Sequence, residues 1–170
     1  MKSTLLLICF CAVLSMNAVS ADQASAGVLS QGETHVVLAS GKSNVQVVVK
    51  TREVQIGKPS DPRPEIVESN CTNSRYPCSV VDLIGITVNG NHISIPRSTF
   101  ADLADLNVVK IEVAKAGWIL TFTGGDASES YIVKIEFDAG GVNKRTIFSG
   151  MAPDKPLEVT TYYELVIGDK

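Results

Sequence analysis

The 170-residue chain is poor in the residues that most often carry catalysis. It has two histidines, His35 and His92, and neither belongs to a Cys, Asp or Glu motif with metal-ligand spacing. No serine lies in a G-x-S-x-G nucleophile elbow, and Ser149 matches only half of that motif. The turn that begins at Gly124 lacks the regularly spaced oxygen ligands of an EF-hand, so we interpret it as a hairpin loop. The sequence therefore predicts no catalytic residue, no metal and no cofactor.

Long apolar runs are missing as well. The run over residues 5–16 is too short to span a bilayer as a helix. It follows Lys2 and precedes Val19-Ser20-Ala21, which supplies the small residues of a signal-peptidase site. We predict a signal peptide over residues 1–21, with cleavage after Ala26 or retention as a membrane anchor as the alternatives. The protein is thus expected to be periplasmic or secreted, with no membrane insertion after signal cleavage.

The sequence has no excess of cationic side chains. Its 15 Lys and Arg residues are outnumbered by 18 Asp and Glu residues, which gives a formal net charge of −3. Loss of Lys2 with the signal peptide leaves 14 cations against 18 anions, a net charge of −4. Binding to nucleic acid depends on clustered Lys and Arg, so this balance argues against a nucleic-acid partner and against an anionic membrane surface.

Removal of residues 1–21 leaves 149 residues, a length typical of one domain. Residues 22–32 are small and polar, which predicts a flexible N-terminal segment. Residues 33–170 are predicted to form a single β-rich domain.

Only two cysteines remain after signal cleavage, because Cys9 and Cys11 leave with the signal peptide. In an oxidising compartment the simplest role for Cys71 and Cys78 is a disulfide bond. A zinc site would need further ligands nearby, and the C-x-x-C spacing of a redox pair is absent. The closed loop is short, so the chain-entropy model limits its stabilisation to roughly 2.5 kcal/mol.

Alternation of apolar and polar residues dominates the rest of the chain. It is clearest over residues 130–138, where Tyr131, Val133, Ile135 and Phe137 share one face. The first half of the valine-rich segment 44–56 has apolar residues at both odd and even positions, which is typical of a strand covered on both faces. Strands are predicted over residues 34–39, 44–56, 80–88, 91–95, 108–114, 118–123, 130–138, 142–148 and 157–167.

Turn residues separate these strands. Asn89-Gly90 is typical of a type I′ hairpin turn, so residues 84–88 should pair with residues 91–95. Apolar residues at helical spacing after Ser98 predict one short helix over residues 99–105. The fold class is therefore all-β with one short helix, an antiparallel meander that forms a sandwich or a small barrel.

Residues 57–78 interrupt the strand pattern, first with Pro59, Pro62 and Pro64 and then with the predicted disulfide. Long irregular connections in compact domains are often functional. Arg and Tyr are enriched among binding hot spots, so Arg63, Arg75 and Tyr76 are the candidate binding residues. The leading hypothesis is a small exported β-domain that acts by protein binding, as a periplasmic inhibitor, immunity or accessory protein. Its partner would be another protein of the envelope or outside the cell.

Two alternatives remain. One is a hydrolase whose site is assembled in space from His35 or His92 and a nearby carboxylate. The other is a structural or assembly component of an envelope complex. An exposed edge strand, such as residues 157–167, would support that second alternative because sheet edges accept additional strands.

Overall fold

The computed structural model describes residues 22–58 and 71–163. The predicted signal peptide, Arg63 with its neighbouring prolines, and residues 164–170 lie outside the described residues. The described ranges contain ten strands: β1 (Gln23–Gly27), β2 (Gly32–Ser40), β3 (Ser43–Val54), β4 (Cys78–Val88), β5 (Asn91–Ile93), β6 (Leu106–Ala114), β7 (Gly117–Gly124), β8 (Tyr131–Phe137), β9 (Val142–Ser149) and β10 (Ala152–Thr161).

The strands form two antiparallel sheets. The large sheet has the order β1-β6-β7-β8-β9-β10, and the small sheet has the order β2-β3-β4-β5. In both sheets the first and last strands do not pair with each other, so neither sheet closes into a barrel within the described ranges. The all-β prediction is confirmed, and of the two predicted architectures the structure has the sandwich.

The core lies between the two sheets. Alternating residues of β8 point into it: Tyr131, Val133, Ile135 and Phe137 are all buried, as their spacing predicts. Burying a side chain the size of Phe137 contributes roughly 1.5–3 kcal/mol. The largest fully buried side chains come from both sheets: Phe122, Phe137, Leu38, Ile86, Leu103, Ile111, Leu120, Ile135, Val45, Val47, Val49 and Val109.

Strand β3 is covered on one face, which corrects the expectation that both faces are buried. Val45, Val47 and Val49 are buried in the core, whereas Gln46 is exposed and Val48 is half-buried. The reason is that the small sheet is an outer layer of a two-layer sandwich, so its second face meets solvent.

The Asn89-Gly90 turn forms as predicted. Asn89 has a φ of 50° and Gly90 a φ of 86°, the positive values that a type I′ turn requires. The turn sets the register Val88↔Asn91 between β4 and β5. Strand β5 ends at Ile93, two residues before the predicted end.

The flexible segment predicted over residues 22–32 needs correction, because it contains strand β1. Strand β1 pairs with β6 over five residues, and Ala24 and Ala26 pack against the core. Backbone pairing at the edge of β6 orders a segment whose side chains alone gave no strand signal.

The short helix predicted over residues 99–105 is also corrected. A 3₁₀ turn occupies Arg97–Thr99, and the following chain bridges to β4 through Ala104 and Val80. The backbone of Asp105 has a φ of 49°, and its amide donates to the carbonyl of Ser79 at 2.6 Å. These contacts with β4 replace the hydrogen bonds that a helix would make. Phe100 and Leu103 are nevertheless buried.

The last strand begins earlier than predicted. Strand β10 starts at Ala152 and ends at Thr161, before the described Tyr162 and Tyr163, and residues 164–167 of the predicted strand lie beyond the described residues. Pro153 and Pro156 fit within β10 because it is an edge strand, where a missing amide need not break a ladder.

Tyr131 fastens β8 to the chain before β6. Its buried hydroxyl accepts a hydrogen bond from the amide of Ala104 at 3.1 Å and donates to the carbonyl of the same residue. Burial raises the pKa of Tyr131 above its ordinary value. A raised folded-state pKa stabilises the protein below the unfolded pKa, and this stabilisation is lost as pH rises above about 10.

We expect Tyr131→Phe to lower the free energy of unfolding at pH 7 by about 1–3 kcal/mol, because the buried amide of Ala104 loses its acceptor. The variant should also lose stability less steeply than wild type above about pH 10. Urea denaturation from pH 7 to pH 11 measures both effects. If the free energy of unfolding depended on pH in the same way for both proteins, the stabilising role assigned to the Tyr131 hydroxyl would be contradicted.

Candidate binding site at the disulfide loop

Residues 71–78, here called the disulfide loop, are closed by the predicted bond between Cys71 and Cys78, which the structure confirms. Both cysteines are buried and pack with Val80 and Ala104. Cys78 is also the first residue of β4, so the loop joins directly onto the small sheet. A disulfide is compatible with a location outside the cytoplasm.

One buried carboxylate holds both flanks of the loop. Asp105 is 1% exposed, and its Oδ2 accepts a hydrogen bond from the amide of Thr72 at 2.7 Å. Its Oδ1 accepts a second hydrogen bond from the amide of Ser79 at 2.9 Å. Hydrogen bonds to a charged acceptor are about twice as strong as neutral ones, so Asp105 fixes the backbone on both sides of the disulfide.

Arg75 ties the middle of the loop to the sandwich. Its guanidinium donates to the carbonyl of Asp105 at 3.1 Å and to the carbonyl of Gly125 at 3.3 Å. A third bond of 2.7 Å reaches Oδ1 of Asn107. Arg75 is half-buried. Because these bonds turn its guanidinium towards the domain, Arg75 positions the loop.

The connection between β7 and β8 forms the other side of the site. Oε2 of Glu129 accepts a hydrogen bond from the amide of Asn73 at 2.8 Å, and Asp126 accepts one from the hydroxyl of Ser74 at 3.4 Å. Gly125 has a φ of 72°, and a Cβ there would lie 2.2 Å from the carbonyl oxygen of Glu129. The turn itself therefore needs glycine at position 125, and its residues Asp126 and Glu129 accept the hydrogen bonds from the disulfide loop.

The outward surface of the loop is polar with one aromatic ring. Asn73 and Ser74 are exposed, and Tyr76 and Pro77 are half-buried. Of the three predicted binding residues, Tyr76 is half-buried, Arg75 is half-buried with its guanidinium facing inwards, and Arg63 lies outside the described residues.

A cleft of about 520 Å³ adjoins the loop. Three acidic residues line it: Asp102, Glu129 and Glu158. Arg145 forms ion pairs with two of them, with contacts of 2.6 Å to Asp102 and 3.0 Å to Glu158, and its side chain is only 4% exposed. These pairs link β9 to β10 and to the turn before β6.

Neither histidine lies in this cleft. His35 is on the surface of β2 with its Nε2 3.6 Å from Glu33, and Nδ1 of His92 lies 3.2 Å from the hydroxyl of Thr87. The cleft that His92 lines, beside Ile86 and Phe100, contains no serine and no carboxylate among its described lining residues. The hydrolase alternative gains no support from this arrangement.

The described residues contain no group of three or more His, Cys, Asp and Glu side chains arranged to hold a metal ion. Likewise, none of the helices found in the described ranges is long and apolar enough to cross a membrane. No protein-family model matches the sequence, and neither a curated protein nor a solved structure matches it.

Sequence reasoning missed the residues that position the loop. Asp105 and Asn107 act on amides and a guanidinium that lie about 30 residues away in the chain. The apolar spacing of Phe100 and Leu103 made Asp105 look like a solvated helix position. The turn at Gly124 is the predicted hairpin loop, since it joins the paired strands β7 and β8, but its sequence gives no sign that it also bonds to the disulfide loop.

We expect Asp105→Ala to lower the free energy of unfolding by about 3–5 kcal/mol, since it leaves two buried amides without an acceptor and places alanine at a positive φ. Asp105→Asn keeps one acceptor oxygen and tolerates that φ, so its cost should be about 1–3 kcal/mol. Chemical denaturation measures both variants.

Asp154→Asn is the matched control, because Asp154 is exposed on β10 and its substitution should change stability by less than about 0.5 kcal/mol. A loss for Asp105→Ala no larger than that of the control would contradict the role assigned to Asp105.

Proposed function

We propose that this protein is exported and acts by binding another protein, with the outward surface of the disulfide loop as the contact. Its biological form would be a periplasmic or secreted inhibitor, immunity or accessory protein. The observation that carries the proposal is the fixation of a surface loop from three directions: by the disulfide, by Asp105 and by Arg75.

Preorganisation is the physical reason that such a loop favours binding. A loop ordered before it meets its partner loses less conformational entropy on association, so more of the contact energy appears as affinity. Loops held by a rigid scaffold are also common places for binding residues. Here the scaffold is the sandwich, and the hydrogen bonds of the loop are made within the chain.

The residues of the disulfide loop have different roles in the proposed contact. Tyr76 supplies the aromatic contact, and Asn73 and Ser74 supply exposed polar groups beside it. Arg75 acts through the loop conformation. Exposed acidic residues of the β7–β8 connection border the surface, which favours a partner that presents cationic groups there.

Export is supported by two independent features. The N-terminal sequence has the organisation of a signal peptide, and the confirmed disulfide is the type of bond that persists in oxidising compartments. A net charge of −4 after signal cleavage favours a protein partner over a nucleic acid.

We expect Tyr76→Ala to weaken binding to the natural partner by about 2 kcal/mol, roughly 30-fold, as truncation of an aromatic hot spot does. The partner is first identified by affinity capture from an extract of envelope and secreted proteins with the mature wild-type protein. Its purified form is then titrated by calorimetry against wild type and variants.

Tyr163→Ala is the matched control, because Tyr163 is an exposed tyrosine outside the loop. It should bind the partner within about twofold of wild type. Unchanged affinity for Tyr76→Ala, or an equal loss for both tyrosine variants, would remove the disulfide loop as the contact surface.

A further inference from the structure

The cleft of about 520 Å³ beside the disulfide loop, here called the acidic cleft, has an excess of negative charge. The carboxylates of Asp102, Glu129 and Glu158 line it, and no lysine or arginine is among its described lining residues. The guanidinium of Arg145 contacts two of these carboxylates. Three carboxylates and one guanidinium give the cleft a formal charge of −2, which favours a cationic ligand.

Arg145 is a buried cation directed at this cleft. It pairs across the sheet with the core residue Ile135, and directly opposite residues share a face, so its side chain points between the two sheets. The side chain is only 4% exposed, and its Nε has no hydrogen-bond partner among the described residues. A buried N–H without a partner is unfavourable. The other two nitrogens bind Asp102 and Glu158, so this costly group fixes two carboxylates of the lining.

The fixed carboxylates remain open to the cleft. The side chains of Asp102 and Glu158 are 42% and 51% exposed. Oε2 of Glu129 accepts the hydrogen bond of the Asn73 amide, and Oε1 of Glu158 accepts that of Arg145. Within the described ranges, neither Oε1 of Glu129 nor Oε2 of Glu158 has a hydrogen-bond partner. Two preset carboxylate oxygens are therefore available to a cationic donor.

The acidic cleft also has an apolar wall. Pro156 pairs with Phe148 and Glu158 pairs with Ile147, so Leu157 is an extra residue that bulges from β10. A bulge re-aims a side chain, and Leu157 lines the cleft while it is 70% exposed. Ile147 lines the cleft as well. Carboxylates beside an apolar wall suit a side chain with an apolar stem and a cationic end.

The cleft and the disulfide loop form one continuous surface. Cys71, the first residue of the loop, lines the cleft, and Glu129 of the cleft is bonded to Asn73 of the loop. A protein that contacts the outward surface of the loop therefore lies over the mouth of the cleft.

We propose that the acidic cleft binds a lysine or arginine side chain of the protein that the disulfide loop contacts. The aliphatic stem lies on Leu157 and Ile147, and the cationic end binds Glu129 and Glu158. This inference rests on the proposed function, because it assigns the cationic residue to the same partner, and it adds the chemistry by which that partner is selected.

The test uses two tripeptides, acetylated and amidated, with either arginine or lysine between two glycines. Citrulline and norleucine replace the central residue in the uncharged counterparts. Titration of the cationic peptides into ¹⁵N-labelled mature protein at low salt should give saturable amide shifts at Glu129 and Glu158, with dissociation constants of about 1–10 mM. The uncharged peptides should bind at least roughly fivefold more weakly.

Glu129→Gln and Glu158→Gln should each weaken binding of the cationic peptides roughly fivefold, because each removes one charge. Both keep an oxygen that accepts the hydrogen bond made within the chain. Glu136→Gln is the matched control, since it removes the same charge at the other end of β8 from Tyr131. It should bind within about twofold of wild type.

Three results would overturn the proposal: no saturable shifts at the cleft, equal binding of charged and uncharged peptides, or peptide binding that both glutamine variants leave unchanged. The peptide titrations need no natural partner, so they do not depend on the outcome for Tyr76→Ala. With the captured partner, a loss for Tyr76→Ala but none for Glu129→Gln and Glu158→Gln would remove the cleft alone. The reverse pattern would remove the disulfide loop and leave the cleft as the contact.

Discussion

The carboxylate of Asp105 is the contact on which the arrangement of the candidate site depends. Burying a carboxylate is costly unless hydrogen bonds replace its water, and Thr72 and Ser79 supply two of them from opposite flanks of the disulfide. The amide of Asp105 adds a third bond to Ser79, so the chain before β6 is tied to β4 at the same point. The disulfide closes the loop, but the carboxylate determines where the closed loop lies on the sandwich.

This constraint acts at the disulfide loop, because the carboxylate of Asp105 holds Thr72 and Ser79 on the two flanks of the loop. At the loop, the amides of Thr72 and Asn73 and the guanidinium of Arg75 are hydrogen-bonded within the chain, and the side chains of Asn73 and Ser74 are exposed. Recognition by the disulfide loop, as proposed, would therefore rely on side chains.

Much of the fold could be predicted because its causes are local. The alternation of Tyr131, Val133, Ile135 and Phe137 fixes both the strand and its buried face, and Asn89-Gly90 fixes a hairpin. The errors arose where tertiary contacts override local preference. Strand β1 is ordered by pairing with β6, and residues 99–105 are drawn away from a helix by β4. At the site, the disulfide was predictable from two cysteines. The inward role of Arg75 was not, because its acceptors are distant in sequence.

Amide hydrogen exchange at Thr72 and Ser79 tests the central role of Asp105 most directly. The account predicts that both amides exchange slowly in the wild-type protein, at rates close to those of the buried strand β8. In Asp105→Asn at least one of the two should exchange at least tenfold faster, while the amides of β8 stay protected. Exchange of both amides at the rate of an unstructured peptide in the wild-type protein would contradict the account.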